Sequence, residues 1–347
     1  MTEKEIIQRR VINQQIAEAR FTKPQQIVNY MVAMQAQVWD MAKWAIGLRL
    51  PGSIVDDIDD AFNKGTILRT HVMRPTWHFV TPADIRWLLK LTSPRVHAFN
   101  APYYRKMELD GTVFSKSNRV IEKLLRGGKQ MTRVAIKDEL VKNKIHTNDI
   151  RFTLLLMYAE LEGLICSGAR VGNQFTYALM DERVEPGKSF VREEALGNLA
   201  KRYFITRGPA TIHDFAWWSG LMVKDAKEGL AMNRSVFSTE KIKGKEFIFN
   251  PGDFEISSKS QTTFLLPDYD EYGISYKNRE MIFNPRSKVL EGGGNHALIV
   301  EGVCSGAWKK EKTSIILTDA VKRNKQQQNK IQNAVKRYSQ FFKIATK

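Results

Sequence analysis

Between residues 114 and 182 the chain spells out three short helices and then a hairpin, an order that few small folds accept. Asn118 to Arg126 reads as a helix that stops at Gly127-Gly128. Thr132 caps a second helix to about Lys142, and Asn148 caps a third, Asp149 to Glu162, which closes on Gly163. Leu164 to Leu179 then forms two short strands about a Gly/Asn turn. This is the winged-helix order, in which the third helix can enter a major groove while the wing touches backbone.

The flanking stretches extend the pattern. Residues 190–238 repeat the helical theme: Glu193 to Thr206, then Arg207-Gly208-Pro209, a helix started by Thr211 and Asp214, and a third from Val223 to Met232. Near the N-terminus, Ile27, Met31, Met34, Val38, Met41, Ala45 and Leu48 recur at three- and four-residue steps, as on one buried helical face. Thr66 to Val80 alternates as two strands turning near Arg74-Pro75. From about residue 240 alternation takes over, in Phe247-Ile248-Phe249, Thr262 to Leu266, His296 to Val303 and Thr313 to Leu317, as in a small barrel or strongly curved sheet. Gly292-Gly293-Gly294 reads as a turn, at a hairpin tip or in a plain loop. Ile331, Val335, Tyr338 and Phe342 form a helical stripe, so the tail is expected to be a packed helix with a basic outer face. The expected fold is α+β and mainly helical. Three tandem winged-helix units (1–113, 114–185 and 186–238) precede a C-terminal β-barrel with a closing helix at 239–347.

Charge narrows the partners. Lys and Arg outnumber Asp and Glu by 54 to 37, a formal net charge of +17. Such a surplus calls for a polyanion, nucleic acid ahead of an anionic membrane. No run approaches the roughly 18 apolar residues that span a bilayer, and the first ten residues lack the apolar core of a secretory signal. Cys166 and Cys304, each beside a Ser-Gly turn, read as reduced packing residues. These features describe a cytoplasmic, nucleoid-associated monomer on double-stranded DNA.

The motifs are more specific. Met34-Gln35-Ala36-Gln37, Trp44 to Arg49 and Leu68 to Phe79 resemble stretches of the bacterial "helix-turn-helix 42" family of winged-helix proteins. That family includes the AlkZ-type interstrand-crosslink DNA glycosylases and their YcaQ-type relatives. Arg207-Gly208-Pro209 with Asp214 to Gly220, Leu265 to Tyr272 with Tyr276 and Arg279, and Gly302 to Trp308 extend the likeness in order along nearly the whole chain. The resemblance implies tandem winged helices around a barrel, acting on DNA. It further implies that Gln35 and Gln37 carry base excision, as in the AlkZ-type Gln-aliphatic-Gln motif; YcaQ-type members place an acid where this chain has Gln37. One departure is Pro75 after Arg74, where the family pattern leads one to expect Gly.

The chemistry is coherent. A purine alkylated at N7 or N3 already carries positive charge, so its leaving group is activated in advance. A glutamine amide can then place a water and orient the sugar through its acceptor oxygen and donor NH₂, although it is no Brønsted base near neutral pH. The expected activity is that of a monofunctional DNA glycosylase on alkylated purines, interstrand crosslinks included; no lysine nucleophile suggests strand cleavage. The alternative is a non-catalytic winged-helix DNA-binding protein, a regulator or a damage binder.

Geometry sets a condition. Residues i and i+2 lie about 200° apart on a helix, so the amides can address one water only if helix breaks between Met34 and Asp40. The apolar periodicity runs through without one, and in an unbroken helix both glutamines would be polar flanks. Asp40 reads as a helix cap or a backup base. Arg69, Arg74 and His78 suit DNA phosphates, or else a carboxylate and a structural hydrogen bond; Arg207 joins them as a DNA-binding candidate. Trp217-Trp218 reads as core. Asp268, Asp270 and Glu271 form an acidic cluster read as a solvated or Arg279-paired loop ahead of a metal site. No Cys/His cluster, P-loop or GxSxG elbow is present, so neither cofactor nor metal is expected.

Overall fold

The computed structural model describes residues 1–252, 260–283, 295–312, 314–319 and 323–344, so Gly292-Gly293-Gly294 lie outside the described residues. About half of the described residues are helical, mixed with short antiparallel sheets. The chain forms two compact units. One comprises Met1–Asp59, Gly197–Trp218 and Met222–Lys347; the other comprises Asp60–Leu196 with Ser219–Leu221.

The second unit holds the three helices read from residues 114 to 182. They are Gly111–Leu125, Arg133–Lys142 and Arg151–Leu161. The first begins ahead of Asn118 because the Asp110 carboxylate accepts from the Val113 backbone N–H at 2.8 Å, which fixes the cap there. Thr132 caps the second, accepting from the Ala135 N–H at 3.2 Å. Strand Thr176–Leu179 lies between Met131–Thr132 and Ile165–Ser167, and Ile121, Leu125, Ile136, Leu140, Leu155 and Ile165 fill the core beneath them.

The third helix is largely packed into its own unit. Phe152, Leu154, Leu155, Leu156, Met157, Ala159, Glu160 and Leu161 are all buried, while Arg151, Thr153 and Tyr158 are partly exposed. It packs against the long helix Pro82–Lys106 and strand Leu68–Val72. The Ser93 hydroxyl donates to the Leu161 carbonyl at 2.7 Å, and the Glu160 carboxylate bonds the His71 ring. Little of its surface is left outside the core, and that little is Arg151, Thr153 and Tyr158.

Further along, helices Arg192–Arg207, Ile212–Ser219 and Val223–Ala231 are followed by a hairpin, Ser238–Ile242 with Lys245–Phe249. Phe247-Ile248-Phe249 was expected in the C-terminal sheet. It pairs instead within this hairpin, and Ile248 bridges back to Ala210. The C-terminal sheet has four strands in the order Ser314–Asp319, Val303–Glu311, His296–Val300, Phe264–Leu265. It curls into a half-barrel, among the described residues, rather than the expected barrel.

The terminal helix Lys325–Phe341 packs on the first unit through Ile331, Ala334, Tyr338 and Phe341. The Tyr338 ring meets Trp44 at 5.2 Å and Trp308 at 4.8 Å. A Cβ at Gly47 would lie 2.4 Å from the Phe341 ring, so helix Trp39–Gly47 ends on the residue that leaves this space. Arg337 does not belong to a basic outer face. Its guanidinium turns inward to the Gly47 and Leu48 carbonyls at 3.0 and 2.7 Å, and burial lowers its pKa to about 10. Phe341→Ala should therefore cost about 3–5 kcal/mol of stability, read as a lower midpoint in urea unfolding.

Candidate active site

The helix that starts at Pro24 ends at Met31, a break that the apolar periodicity conceals. Val32 has φ +68° and ψ −56°, and the Ala33 N–H closes back on the Met31 carbonyl at 2.8 Å. This is a γ-turn of the rare, strained hand. A β-branched residue there stores on the order of 1–3 kcal/mol. Met34–Gln35 is extended, and helix resumes only at Trp39. The periodicity survives because helix, turn and strand all face the same core, with residues 31–36 buried throughout. Gln35 is 9% exposed and Gln37 is exposed. The segment that carries both amides is thus non-helical. Asp40 lies in the first turn of the next helix rather than at its cap, which is Val38, and faces the Lys43 ammonium at 3.4 Å.

A buried ion pair holds this break. Arg207 sends Nη1 to the Met31 carbonyl and Nη2 to the Ala33 carbonyl, each at 3.0 Å, so its fork spans the strained turn. The same guanidinium bonds the Glu271 carboxylate, Nη2 at 2.6 Å and Nε at 3.1 Å, with both side chains shut off from solvent. Glu271 Oε2 also accepts from Trp218 Nε1 at 2.7 Å and from the Ser275 hydroxyl at 2.9 Å. Its Oε1 accepts from the backbone N–H of Gln35 at 3.0 Å. The strand bearing the first amide is therefore tied directly to the carboxylate.

The neighbouring acid is equally committed. Asp270 receives both terminal nitrogens of Arg49 at 2.8 and 2.9 Å, again fully buried. Arg49 also reaches the Ala45 and Gln14 carbonyls and the Gln14 side chain. Gln14 donates onward to the Tyr276 hydroxyl at 3.1 Å, which donates to the Arg207 carbonyl at 2.9 Å. Burial raises the Tyr203, Tyr272 and Tyr276 phenols above their ordinary range, which keeps them as donors. Asp268 bonds the His296 ring at 2.7 Å. The acidic cluster is paired with Arg49, Arg207 and His296, not with Arg279. No group of three or more metal-ligating side chains occurs among the described residues.

The remaining candidates lie in the second unit, on strands Leu68–Val72 and Arg74–Val80. Arg69 is buried with its guanidinium over the rings of Trp77 and Phe175, at 4.2 and 4.7 Å, and burial lowers its pKa to about 10. His78 is fully buried; Nδ1 donates to the Thr76 carbonyl at 2.9 Å, which leaves Nε2 to accept from Arg74 Nη2 at 3.3 Å. Arg74 is half-buried. Arg207, the fourth candidate for DNA, is wholly inside the first unit. Of Trp217-Trp218 only Trp218 is core, while Trp217 is 53% exposed.

Sequence reasoning did not find the roles of Glu271, Arg49 and Trp218. The one available signal was charge in apolar surroundings, as at Arg49 after Ala45-Ile46-Gly47-Leu48.

A family model described as DNA glycosylase AlkZ-like matches residues 28–341. The chain belongs to the AlkZ-like DNA glycosylase family. An interstrand DNA cross-link repair glycosylase of Streptomyces sahachiroi is 24% identical over 260 residues. The match covers 71% of this chain and 64% of that protein, so it spans less than two thirds of the relative. The solved structure of the Streptomyces sahachiroi DNA glycosylase AlkZ is similar with a TM-score of 0.80 at 18% identity, covering 98% of this chain and 96% of that one. At that identity the likeness is one of fold. This AlkZ-like chain has its Gln-Ala-Gln segment within the matched residues.

Removing one member of a buried pair strands its partner's charge. Glu271→Ala should therefore cost about 3–5 kcal/mol, whereas Asp268→Ala, at a carboxylate 40% exposed, should cost under about 1 kcal/mol. Urea unfolding of the two variants makes the comparison.

Proposed function

We propose that the protein is a monofunctional DNA glycosylase. It hydrolyses the N-glycosidic bond of cationic N7- or N3-alkylated purines, including those in interstrand crosslinks, with Gln35 and Gln37 as the excision pair. The observation that carries this reading is the held, non-helical segment Met34–Gln37, in which Gln35 sits on a short strand pinned by a buried ion pair and Gln37 follows in the bend after it. Outside a helix the two amides are not forced onto opposite sides of one axis, as two groups serving one water require. Family membership and the net charge of +17 support DNA as the substrate.

The two amides divide the work. Gln37 is exposed and meets the water; Gln35, largely buried, orients it and the sugar. An amide supplies no strong base, so the reaction draws its driving force from the positive charge already on the lesion. Neutral, undamaged bases are then poor substrates.

The finer architecture belongs to the same reading. The helical segments are winged-helix units at 1–113, 114–185 and 186–238, the last extended by the hairpin Ser238–Ile242 with Lys245–Phe249, and the half-barrel sheet with its closing helix follows. On the hairpin Leu68–Val72 with Arg74–Val80, half-buried Arg74 is the candidate most available to phosphate, while the burial of Arg69 and His78 favours a supporting role for both. The burial of Arg207 favours a supporting role over a phosphate contact. Among the described residues no helix is long and apolar enough to cross a membrane, in keeping with a cytoplasmic, nucleoid-associated monomer.

The test is release of free base from duplex DNA carrying N7-methylguanine, beside an N7-linked crosslink. Gln37→Ala should slow release about 100-fold while DNA affinity stays within about twofold. Wild type that binds both duplexes tightly and releases neither base would replace this reading with the non-catalytic binder.

A further inference from the structure

We propose that Glu271, working through Arg207, is the positioning residue of the excision step. The pair sets the course of Met34–Gln37 and so aims the amides of Gln35 and Gln37. The inference rests on the reading of those two glutamines as the excision pair.

Glu271 touches the segment at one point and its clamp at two. Oε1 accepts the Gln35 backbone N–H at 3.0 Å. Oε2 holds Arg207, whose fork grips the carbonyls of Met31 and Ala33 on either side of strained Val32. A strained turn persists only when its surroundings over-determine it, and here one carboxylate and one guanidinium provide the restraint. At 1% exposure Glu271 meets neither solvent nor substrate, so it acts only through the backbone that it fixes. The charge is also required. Gln35 N–H, Arg207, Trp218 Nε1 and Ser275 Oγ all donate to its oxygens. An amide at this position would set its own NH₂ against one of them. Misplacing reacting groups by about 1 Å costs about 100-fold in rate, so loss of the clamp falls on the chemical step rather than on DNA binding.

Two variants test this, with wild type beside them. Glu271→Asp keeps the charge for Arg207 but withdraws the oxygens by one methylene. The double variant Glu271→Leu with Arg207→Met removes both charges, a replacement that buried pairs often tolerate without loss of stability. The readouts are melting temperature, affinity for duplex DNA bearing N7-methylguanine, single-turnover release of that base, and amide hydrogen exchange of residues 32–38. The expected result is a double variant that melts near wild type and binds DNA within about twofold. It should release base about 10- to 100-fold more slowly and exchange faster at 32–38 but not elsewhere; Glu271→Asp should show the same slow release. A purely structural role would not separate rate from stability in this way. Wild-type release with unchanged 32–38 exchange in either folded variant overturns the proposal. Wild-type protein that releases no base defeats the glycosylase reading instead, and exchange then decides the positioning alone: locally faster supports it, unchanged overturns it.

Discussion

Two adjacent carboxylates, Asp270 and Glu271, point to two different arginines, and much of the first unit is arranged around that divergence. Taking four charges out of water is expensive, and mutual attraction repays it only when every remaining donor and acceptor is satisfied. That condition is met by backbone together with the side chains of Gln14, Trp218 and Ser275. Arg49 takes up the Ala45 carbonyl near the end of the helix that comes after the Gln-Ala-Gln segment. Arg207 takes up the Met31 and Ala33 carbonyls just before it. One acidic dipeptide thus anchors both flanks of a short stretch whose own sequence has no preference for the path it takes.

How much of this was legible varies with the kind of signal. Local chemistry read well: Thr132 caps where a Thr should, and Gly163 comes directly after the third helix and its cap. Period alone misled at 27–48. Apolar residues at three- and four-residue steps describe one helix, yet the same spacing is satisfied by two helices and a strand turned toward one core. The condition drawn from the i and i+2 amides, that helix must break before Asp40, was a better guide than the hydrophobic pattern, because it came from chemistry at particular atoms.

Tertiary choices were the least visible. Trp217 and Trp218 are adjacent and chemically identical, and only the second finds a buried carboxylate for its indole N–H. Phe247-Ile248-Phe249 alternates as any sheet strand does, and nothing in it distinguishes a pairing with Ser238–Ile242 from one further along the chain. Glu271 lies among tyrosines in Asp-Tyr-Asp-Glu-Tyr and reads as a polar loop; its partners are 64 and 236 residues away in sequence.

The third helix of the second unit is largely committed to its own core: Leu154, Leu155 and Met157 are buried there, and Glu160 is bonded to His71. What the helix leaves partly exposed is confined to Arg151, Thr153 and Tyr158. A substitution on its buried sides would be felt first as lost stability, and only that short remaining strip could change without disturbing the packing beneath it.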